Sequence, residues 1–302
     1  MTSIDGPIGF IGLGRMGRGM ALNLKKTVED LRVFDMSPDA VATLTDAGAR
    51  AAASIADIAD TCDLVFLCVP SAKEVRDVVF GPDGIASKAR TGLVVVDNTT
   101  IDRSDAITFH EEAASLGFDY WDCPVSGMPF RADDGTLTIM FGGAPEAFAR
   151  MKPCLEAFGS EVIHSGTIGA GQAMKAVNNI LYDINIAGLC EVLPLAVAAG
   201  LDPEQLLRLT TTASSRSFAS EYFVERMIER RFDTDFAMQD AYKDITNVQA
   251  MAAETGAKTP VVDAMVATYD AAIDAGYGRE PKSAMLKVYE KVLGVEFKRS
   301  EG

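Results

Sequence analysis

The chain has 302 residues, and 48% of them are apolar, so it can form a sizeable core and has room for two domains. Its net charge of −15 at pH 7 argues against nucleic-acid binding, because such proteins usually present a basic surface. The five cysteines are scattered, without a CxxC pair or a His/Cys cluster, so the sequence predicts neither a disulfide framework nor a metal site.

The N-terminal segment, MTSIDGPIGF, lacks the basic region and the long apolar run of a secretory signal peptide. No apolar stretch reaches the roughly 18 residues that a membrane span requires. Scattered cysteines suit a reducing compartment. These features predict a cytoplasmic protein that has neither a nucleic-acid nor a membrane partner.

Short apolar runs, rich in β-branched residues, recur through the first half of the chain with helical patterns between them. Near-continuous apolarity is typical of strands that are buried on both faces of a parallel sheet. Alternating strands and helices predict a doubly wound α/β domain. The predicted strands lie at 8–12, 31–35, 63–69, 92–98, 119–125, 136–143 and 161–166.

The strand signal stops near residue 167, and the pattern from there to the end is helical. Residues 170–199 read as one helix of about 30 residues, followed by shorter helices separated by GLDP and ETGAKTP. The sequence therefore predicts an α/β domain over residues 1–165 and an all-α domain over residues 166–302.

A glycine motif follows the first predicted strand and precedes a helix. Gly12, Gly14 and Gly17 have the G-x-G-x-x-G spacing, with Leu13 and Met16 in the same loop. The first glycine permits a tight turn, the second lets a pyrophosphate approach the backbone, and the third lets the helix pack closely. In this context the motif predicts a dinucleotide-binding, Rossmann-type sheet.

Asp35 ends the next strand, about 20 residues past the glycines, where a carboxylate can bind the adenosine ribose of NAD. A carboxylate there repels the 2′-phosphate of NADP, and Met36, Ser37 and Pro38 include no arginine to receive one. The sequence therefore favours NAD. The alternative interpretation is that Asp35 caps the following helix, since DMSPD also resembles a helix start.

Lys175 lies in an otherwise apolar and amide-rich run, GQAMKAVNNIL, with Asn179 one helical turn later. Burial would lower the pKa of a lysine toward neutrality, where it could exchange a proton with a hydroxyl. On the pattern alone, a surface lysine whose stem lies along the helix is the commoner explanation. His110, on a helix face predicted to be solvated, and His164 belong to no motif and are assigned structural roles.

Four motifs occur in a familiar order: GFIGLGRMGRGMALNL, DCPVSGMPFRADDGTLTIMFGG, GAGQAMKAVNNIL and FAMQDAYKDI. By these motifs, over nearly its whole length, the chain resembles the β-hydroxyacid dehydrogenases. This is the family of 3-hydroxyisobutyrate dehydrogenase and tartronate semialdehyde reductase, related to 6-phosphogluconate dehydrogenase. The resemblance implies a Rossmann domain and a helical domain that together form the active site.

The resemblance also implies roles for individual residues near the reacting groups. Lys175 matches the catalytic lysine of the family, and Asn179 matches an asparagine that binds the substrate. Ser126 and Gly127 match the loop that holds the substrate carboxylate, and Met128 continues that loop. Thr100 matches a residue at the nicotinamide end of the cofactor.

Further matches concern the rest of the cofactor site. Val69 and Pro70 match the loop that lies along the dinucleotide. Lys243 matches a lysine that closes over the cofactor from the helical domain, and Phe236 and Asp244 flank it as they do in the family.

One departure bears on the substrate. The family usually reads Ser-Gly-Gly in the carboxylate loop, whereas this chain has Ser126-Gly127-Met128, followed by a proline. Met128 predicts a smaller or more apolar pocket. Arg131, just beyond, either points into solvent or binds a second anionic group of the substrate or a cofactor phosphate.

These observations predict an oxidoreductase that moves a hydride between NAD and a small β-hydroxy acid resembling 3-hydroxyisobutyrate, or the matching semialdehyde. The alternatives are an enzyme for a doubly anionic or larger hydroxy acid and a catalytically silent dinucleotide-binding scaffold. The long apolar helix predicts a homo-oligomer, a dimer or a tetramer.

Overall fold

A computed structural model of the chain describes residues 6–233 and 237–299. The chain forms two compact units, Met1–Lys175 and Ala176–Gly302. The division between the units falls within the long helix that the sequence predicts over residues 170–199. The domain boundary near residue 165 stays a prediction.

One sheet organises the first unit. Its strands are β1 (Ile8–Ile11), β2 (Leu31–Phe34), β3 (Arg50–Ala51), β4 (Leu64–Leu67), β5 (Val94–Asp97), β6 (Asp119–Asp122), β7 (Val125–Ser126), β8 (Leu137–Gly142) and β9 (Gly159–Gly166). Their order is β3-β2-β1-β4-β5-β6-β8-β7, with β9 paired to β8. All pairings from β3 to β6 are parallel, so the predicted doubly wound sheet is confirmed.

Two features of the sheet differ from the prediction. β3 was not predicted, because its two residues are exposed and carry no apolar pattern. β8 runs antiparallel to both β6 and β7, although its apolar run resembles those of the parallel strands. A continuous apolar run indicates that a strand is buried on both faces of the sheet. It does not indicate whether that strand pairs in a parallel or an antiparallel direction.

Helices cover both faces of the sheet. They are α1 (Gly17–Lys25), α2 (Pro38–Asp46), α3 (Ile55–Thr61), α4 (Ala72–Phe80), α5 (Arg103–Ser115), α6 (Met128–Asp133) and α7 (Pro145–Leu155), with a 3₁₀ turn at Ile85–Ser87. Successive residues of the central strands alternate between two cores, so that Phe66 and Val96 pack on one face while Val65 and Val95 pack on the other. This alternation explains why the strands read as continuously apolar.

Helices and the segments that connect them make up the described residues of the second unit, together with one isolated bridge between Ala237 and Pro281. The helix α8 (Ala170–Ala198) leads into it from the first unit, and the remaining helices follow. They are α9 (Pro203–Thr212), α10 (Phe218–Ile228), α11 (Met238–Thr255), α12 (Pro260–Ala272) and α13 (Leu286–Leu293), with a π-helical turn at Ile273–Tyr277 and a 3₁₀ helix at Lys282–Met285. The predicted long helix and all-α second half are confirmed.

By length and composition, α8 could cross a membrane. One side of the helix packs as a core helix does, because Ile186, Cys190 and Leu193 are buried in the core of the second unit. Asp183 is fully buried and forms a 2.5 Å ion pair with Lys282, whose own side chain is 11% exposed. This ion pair links α8 to the 3₁₀ helix at Lys282–Met285 within the same unit.

Candidate active site

The residues predicted to bind a dinucleotide lie at the carboxyl edge of the parallel strands. Gly12 and Gly14 follow β1, Asp35 follows β2, Val69 follows β4 and Thr100 follows β5. Because these strands are parallel neighbours, their carboxyl ends meet at one edge of the sheet, where ligands of such sheets bind. The fold thus brings four separated stretches of sequence to one place.

The glycine loop has the geometry that its spacing predicts. Gly12 has a φ of +91°, and a Cβ atom there would lie 2.1 Å from the carbonyl oxygen of Cys68. A Cβ atom at Gly17 would lie 1.9 Å from the carbonyl oxygen of Gly12, so this glycine lets α1 pack closely. Gly14 is exposed and would meet nothing within 4 Å, which leaves its backbone open to a ligand.

The start of α1 suits a phosphate group. In this part of the described chain, no side chain caps the helix, and the first turn contains no acidic residue. Uncapped N–H groups and the positive end of the helix dipole attract anions. The residues that would hold the pyrophosphate of a dinucleotide are therefore those from Gly12 to Gly17.

Asp35 is tied to this loop by its carboxylate. Its Oδ2 accepts a hydrogen bond from the backbone N–H of Leu13 at 2.6 Å, and Oδ1 accepts from the N–H of Ser37 at 2.7 Å. The interpretation of Asp35 as a helix cap is wrong, because Ser37 is the N-cap residue of α2 and accepts from Ala40. A carboxylate has about four acceptor positions, so Asp35 is oriented and still able to accept from a ribose hydroxyl.

Two arginines beside the glycine loop were missed in the sequence analysis. Arg15 and Arg18 line a pocket of about 360 Å³, in which Arg18 also lies 4.0 Å from Asp133. Both occur in the motif GLGRMGR, where the prediction used the glycines and assigned no role to the arginines between them. They place two positive charges beside the predicted phosphate loop, partly offset by Asp39 in the same pocket and by Asp133. The pocket is lined by Leu13, Gly14, Arg15, Arg18, Asp39, Ala40, Thr43 and Pro129.

The loop after β5 is held by buried polar contacts. Asp97 is fully buried and accepts from the Tyr120 hydroxyl at 2.5 Å and from the N–H of Thr99 at 2.8 Å. Burial raises the pKa of Asp97 to about 6. The Thr99 hydroxyl accepts from the N–H of Val69 at 3.1 Å, which joins this loop to the one after β4. Thr100, the next residue, is half-buried.

A second buried acid, Asp122 at the end of β6, holds the start of α8. It accepts from the N–H of Gly169 at 2.7 Å and from the N–H of Gln172 at 2.8 Å. Burial raises the pKa of Asp122 to about 6. Asp97, Asp122 and Gln172 were not identified as site residues from the sequence, although the strand-end acids of DNTTID and DCPVSG are visible there.

Lys175 follows three residues after Gln172 on α8, and it is half-buried. Asn179 is one turn further on and only 8% exposed, and its Oδ1 accepts from Asn178 at 3.1 Å. The two predicted residues thus lie on one face of one helix. A half-buried position suits a lysine that exchanges protons, but the assignment as catalytic residue stays a prediction.

The carboxylate loop has an unusual backbone. Ser126 ends β7, Gly127 has a φ of +146°, and Met128 has a φ of +64°. The left-handed region costs a residue with a Cβ atom about 1–2 kcal/mol, so Met128 occupies, at a cost, a conformation that glycine adopts freely. Pro129 lies in the first turn of α6 and fixes the chain that follows.

Arg131 has a backbone partner close to the carboxylate loop. It is half-buried, its guanidinium donates to the carbonyl oxygen of Thr136, and a Cβ atom at Gly127 would lie 2.9 Å from its own Cβ. A guanidinium has five N–H donors, so this one contact decides neither of the two expected roles, and both stay predictions.

The two histidines have structural surroundings. His110 is half-buried rather than solvated, since its Nδ1 lies 2.8 Å from the carbonyl oxygen of Tyr120 and its ring contacts Trp121. The His164 ring stacks on Phe148 at 4.9 Å, and its Nε2 lies 2.8 Å from the carbonyl oxygen of Gly143. Phe236 and the side chains of Lys243 and Asp244 lie outside the described residues.

In comparison with known proteins, each half of the chain matches the model of a protein family. Residues 7–166 match the family model of the NAD binding domain of 6-phosphogluconate dehydrogenase. Residues 169–289 match the model described as NAD-binding of NADP-dependent 3-hydroxyisobutyrate dehydrogenase.

Individual relatives cover nearly the whole chain. The 2-(hydroxymethyl)glutarate dehydrogenase of Eubacterium barkeri is 37% identical over 95% of this chain and 96% of its own length. The NAD-dependent L-serine dehydrogenase of Pseudomonas aeruginosa is 33% identical, over 95% of this chain and 99% of that protein. The crystal structure of 3-hydroxyisobutyrate dehydrogenase from Salmonella typhimurium superposes with a TM-score of 0.85 at 31% identity, covering 94% and 99% of the two chains. This chain therefore belongs to the β-hydroxyacid dehydrogenase family and is an NAD(P)-dependent hydroxyacid dehydrogenase.

Proposed function

We propose that this enzyme transfers a hydride between NAD and a small β-hydroxy acid of the 3-hydroxyisobutyrate type, with Lys175 as the general acid and base. The observation that carries the proposal is the attachment of α8 to the loop after β5. Gln172 hydrogen-bonds to the backbone of Thr99 and of Ile101, on either side of Thr100. These bonds support a position for Lys175, one turn later on α8, near the predicted nicotinamide end of the cofactor.

The residues of this chain have separate tasks in that reaction. The N–H groups of the Ser126–Met128 turn and the Ser126 hydroxyl bind the substrate carboxylate, and Asn179 holds the reacting hydroxyl. Lys175, as a neutral amine, takes the hydroxyl proton during oxidation and returns it from its ammonium form during reduction. Bound NAD supplies the hydride acceptor, so the carbon loses a hydride as the oxygen loses its proton.

A substrate panel tests this proposal against its alternatives. We expect kcat/KM with NAD to be highest for a mono-anionic acid such as 3-hydroxyisobutyrate, because the proposed site binds one carboxylate, at the Ser126–Met128 turn. A preference for 2-(hydroxymethyl)glutarate would instead support the doubly anionic alternative, which the Eubacterium barkeri relative favours. A lack of NADH formation with every hydroxy acid, in protein that binds NAD, would support the silent scaffold.

The proposal includes a homo-oligomer and a cytoplasmic location, the latter resting only on the sequence. In the second unit, α8 exposes an apolar stripe at positions 177, 181, 192 and 195, each about half exposed, with Gly188 between them. These positions share one helix face, which a second copy of the chain could cover.

We expect the wild-type protein to be a dimer or a tetramer by light scattering, and Leu181→Glu to reduce its mass, because a carboxylate in an apolar interface is costly. Val292→Glu is the matched control, since Val292 is 79% exposed on a different helix, α13. A monomeric wild type, or equal effects of the two variants, would refute the stripe as an interface.

A further inference from the structure

The connection between α8 and the sheet begins at Asp122. This carboxylate is fully buried, and it accepts hydrogen bonds from two N–H groups at the start of the helix, those of Gly169 and Gln172. A carboxylate at a helix N-terminus satisfies donors that have no partner within the helix and interacts favourably with the helix dipole. Asp122 therefore fixes where α8 begins relative to the end of β6.

Two glycines, one at the start of α8 and one in β8, let the backbone approach the carboxylate of Asp122 closely. A Cβ atom at Gly171 would lie 2.4 Å from the carbonyl oxygen of Met140 and 2.7 Å from Oδ2 of Asp122. A Cβ atom at Gly142 would lie 2.3 Å from Oδ1 of Asp122. The helix backbone, the carboxylate and β8 are thus in direct contact, and a shift of the helix start would lengthen the hydrogen bonds of Asp122.

The side chain of Gln172 then links the helix to the loop after β5. Its Nε2 donates to the carbonyl oxygen of Thr99 at 2.7 Å, and its Oε1 accepts from the N–H of Ile101 at 3.2 Å. These two groups belong to the residues on either side of Thr100. Gln172 is only 2% exposed, so both hydrogen bonds form away from water. Together they fix the backbone on either side of Thr100.

Gln172 and Lys175 are three residues apart, so their side chains share a face of α8. From these contacts we infer that Asp122 and Gln172 are positioning residues, which together set the place of Lys175 relative to the Thr100 loop. The inference rests on the proposed function, because it gives Lys175 the proton transfer. A displacement of about 1 Å can lower the rate of such a step by roughly 10²-fold.

The test is Gln172→Met, which keeps the length of the side chain and removes both hydrogen bonds. We expect kcat to fall by roughly 10-fold to 10²-fold, while the Kd for NAD and the KM for the hydroxy acid change by less than about threefold. With substrate deuterated at the carbon that carries the hydroxyl, the isotope effect on kcat should increase, because hydride transfer becomes slower than product release.

Ser220→Ala is the matched control for lost stability. Ser220 is fully buried in the capping box of α10 in the second unit, where its Oγ accepts from the N–H of Ser217 at 2.9 Å. We expect this variant to unfold at a lower temperature with an unchanged kcat and isotope effect. A fall in kcat as large as that of Gln172→Met would show that stability alone lowers turnover and would overturn the inference.

Gln172→Glu is a second variant, in which lowering the pH should partly restore kcat. When protonated, a glutamic acid can donate to Thr99 and accept from Ile101 as glutamine does, whereas the carboxylate loses the donor. The ratio of its kcat to that of the wild type should therefore rise as the pH is lowered.

Three other results would contradict the inference: an unchanged kcat in Gln172→Met, a Kd for NAD that rises as much as kcat falls, or a pH-independent ratio for Gln172→Glu. Lys175→Ala, measured alongside, separates the proposed catalytic role of Lys175 from the positioning role of Gln172. Normal turnover in Lys175→Ala refutes the proposed function, whereas an inactive Lys175→Ala with a normal Gln172→Met refutes only the positioning role.

Discussion

Lys175→Ala is expected to lower kcat by 10²-fold to 10⁴-fold, the usual cost of removing a general acid and base. Without the amine, the hydroxyl proton loses its proposed acceptor, and Asn179, an amide, cannot replace it at neutral pH. The Kd for NAD should stay nearly unchanged, because the predicted cofactor contacts come from the loops after β1, β2, β4 and β5 and from Phe236 and Lys243, and not from Lys175. Steady-state NADH formation and a direct NAD titration measure both quantities.

Two companion variants separate proton transfer from charge. Lys175→Arg keeps the positive charge but cannot release its proton near neutral pH, so it should be nearly as slow as Lys175→Ala. Lys152→Ala is the control, since Lys152 is a half-exposed helical lysine in the same unit, 3.5 Å from Glu156. Near-normal turnover in Lys175→Ala would return Lys175 to the interpretation of a surface lysine, and an active Lys175→Arg would show that charge alone suffices.

The sequence predicted the elements of the fold well, because strand and helix patterns depend on burial along a few neighbouring residues. All seven predicted strand regions contain strands, and the helix predicted over 170–199 is observed at Ala170–Ala198. It could not predict the antiparallel direction of β8 or the short strand β3, since pairing direction depends on the path of the connecting segments rather than on apolarity.

The same limit explains which site residues were missed. The glycine motif and Asp35 were identifiable because their roles come from spacing within one βαβ unit. Asp122 and Gly169 are 47 residues apart in sequence, and Gln172 contacts a loop more than 70 residues before it. Such contacts have no local pattern, so a buried acid that caps a distant helix cannot be recognised before the fold is known.

The strained Met128 shows a third kind of limit. The departure from Ser-Gly-Gly was visible in the sequence, and it was interpreted as a change in the pocket. That the methionine nevertheless keeps a backbone conformation typical of glycine, with a φ of +64°, could only come from the structure. The turn geometry is thus retained although the residue that adopts it most easily has been replaced.

Cofactor choice should change markedly in Asp35→Ser. A 2′-phosphate carries nearly two negative charges, and at about 5 Å from a carboxylate its repulsion is about 2 kcal/mol in water and about 7 kcal/mol at an effective dielectric of 20. At 1.4 kcal/mol for each factor of ten, even the lower figure disfavours NADP by more than tenfold. Asp35 cannot turn aside to relieve this repulsion, because the N–H groups of Leu13 and Ser37 hold both of its oxygens.

We therefore expect the wild type to prefer NAD, and Asp35→Ser to lose at least tenfold of the ratio of kcat/KM with NAD to kcat/KM with NADP. Asp46→Asn removes one exposed charge at the far end of α2 and should leave the ratio unchanged, which controls for net charge. Asp35→Asn keeps the shape and removes the charge, so it should shift the ratio in the same direction while weakening one of the two backbone contacts. A wild type that used NADP as efficiently as NAD would show that Arg15 and Arg18, which line the neighbouring pocket, outweigh the carboxylate.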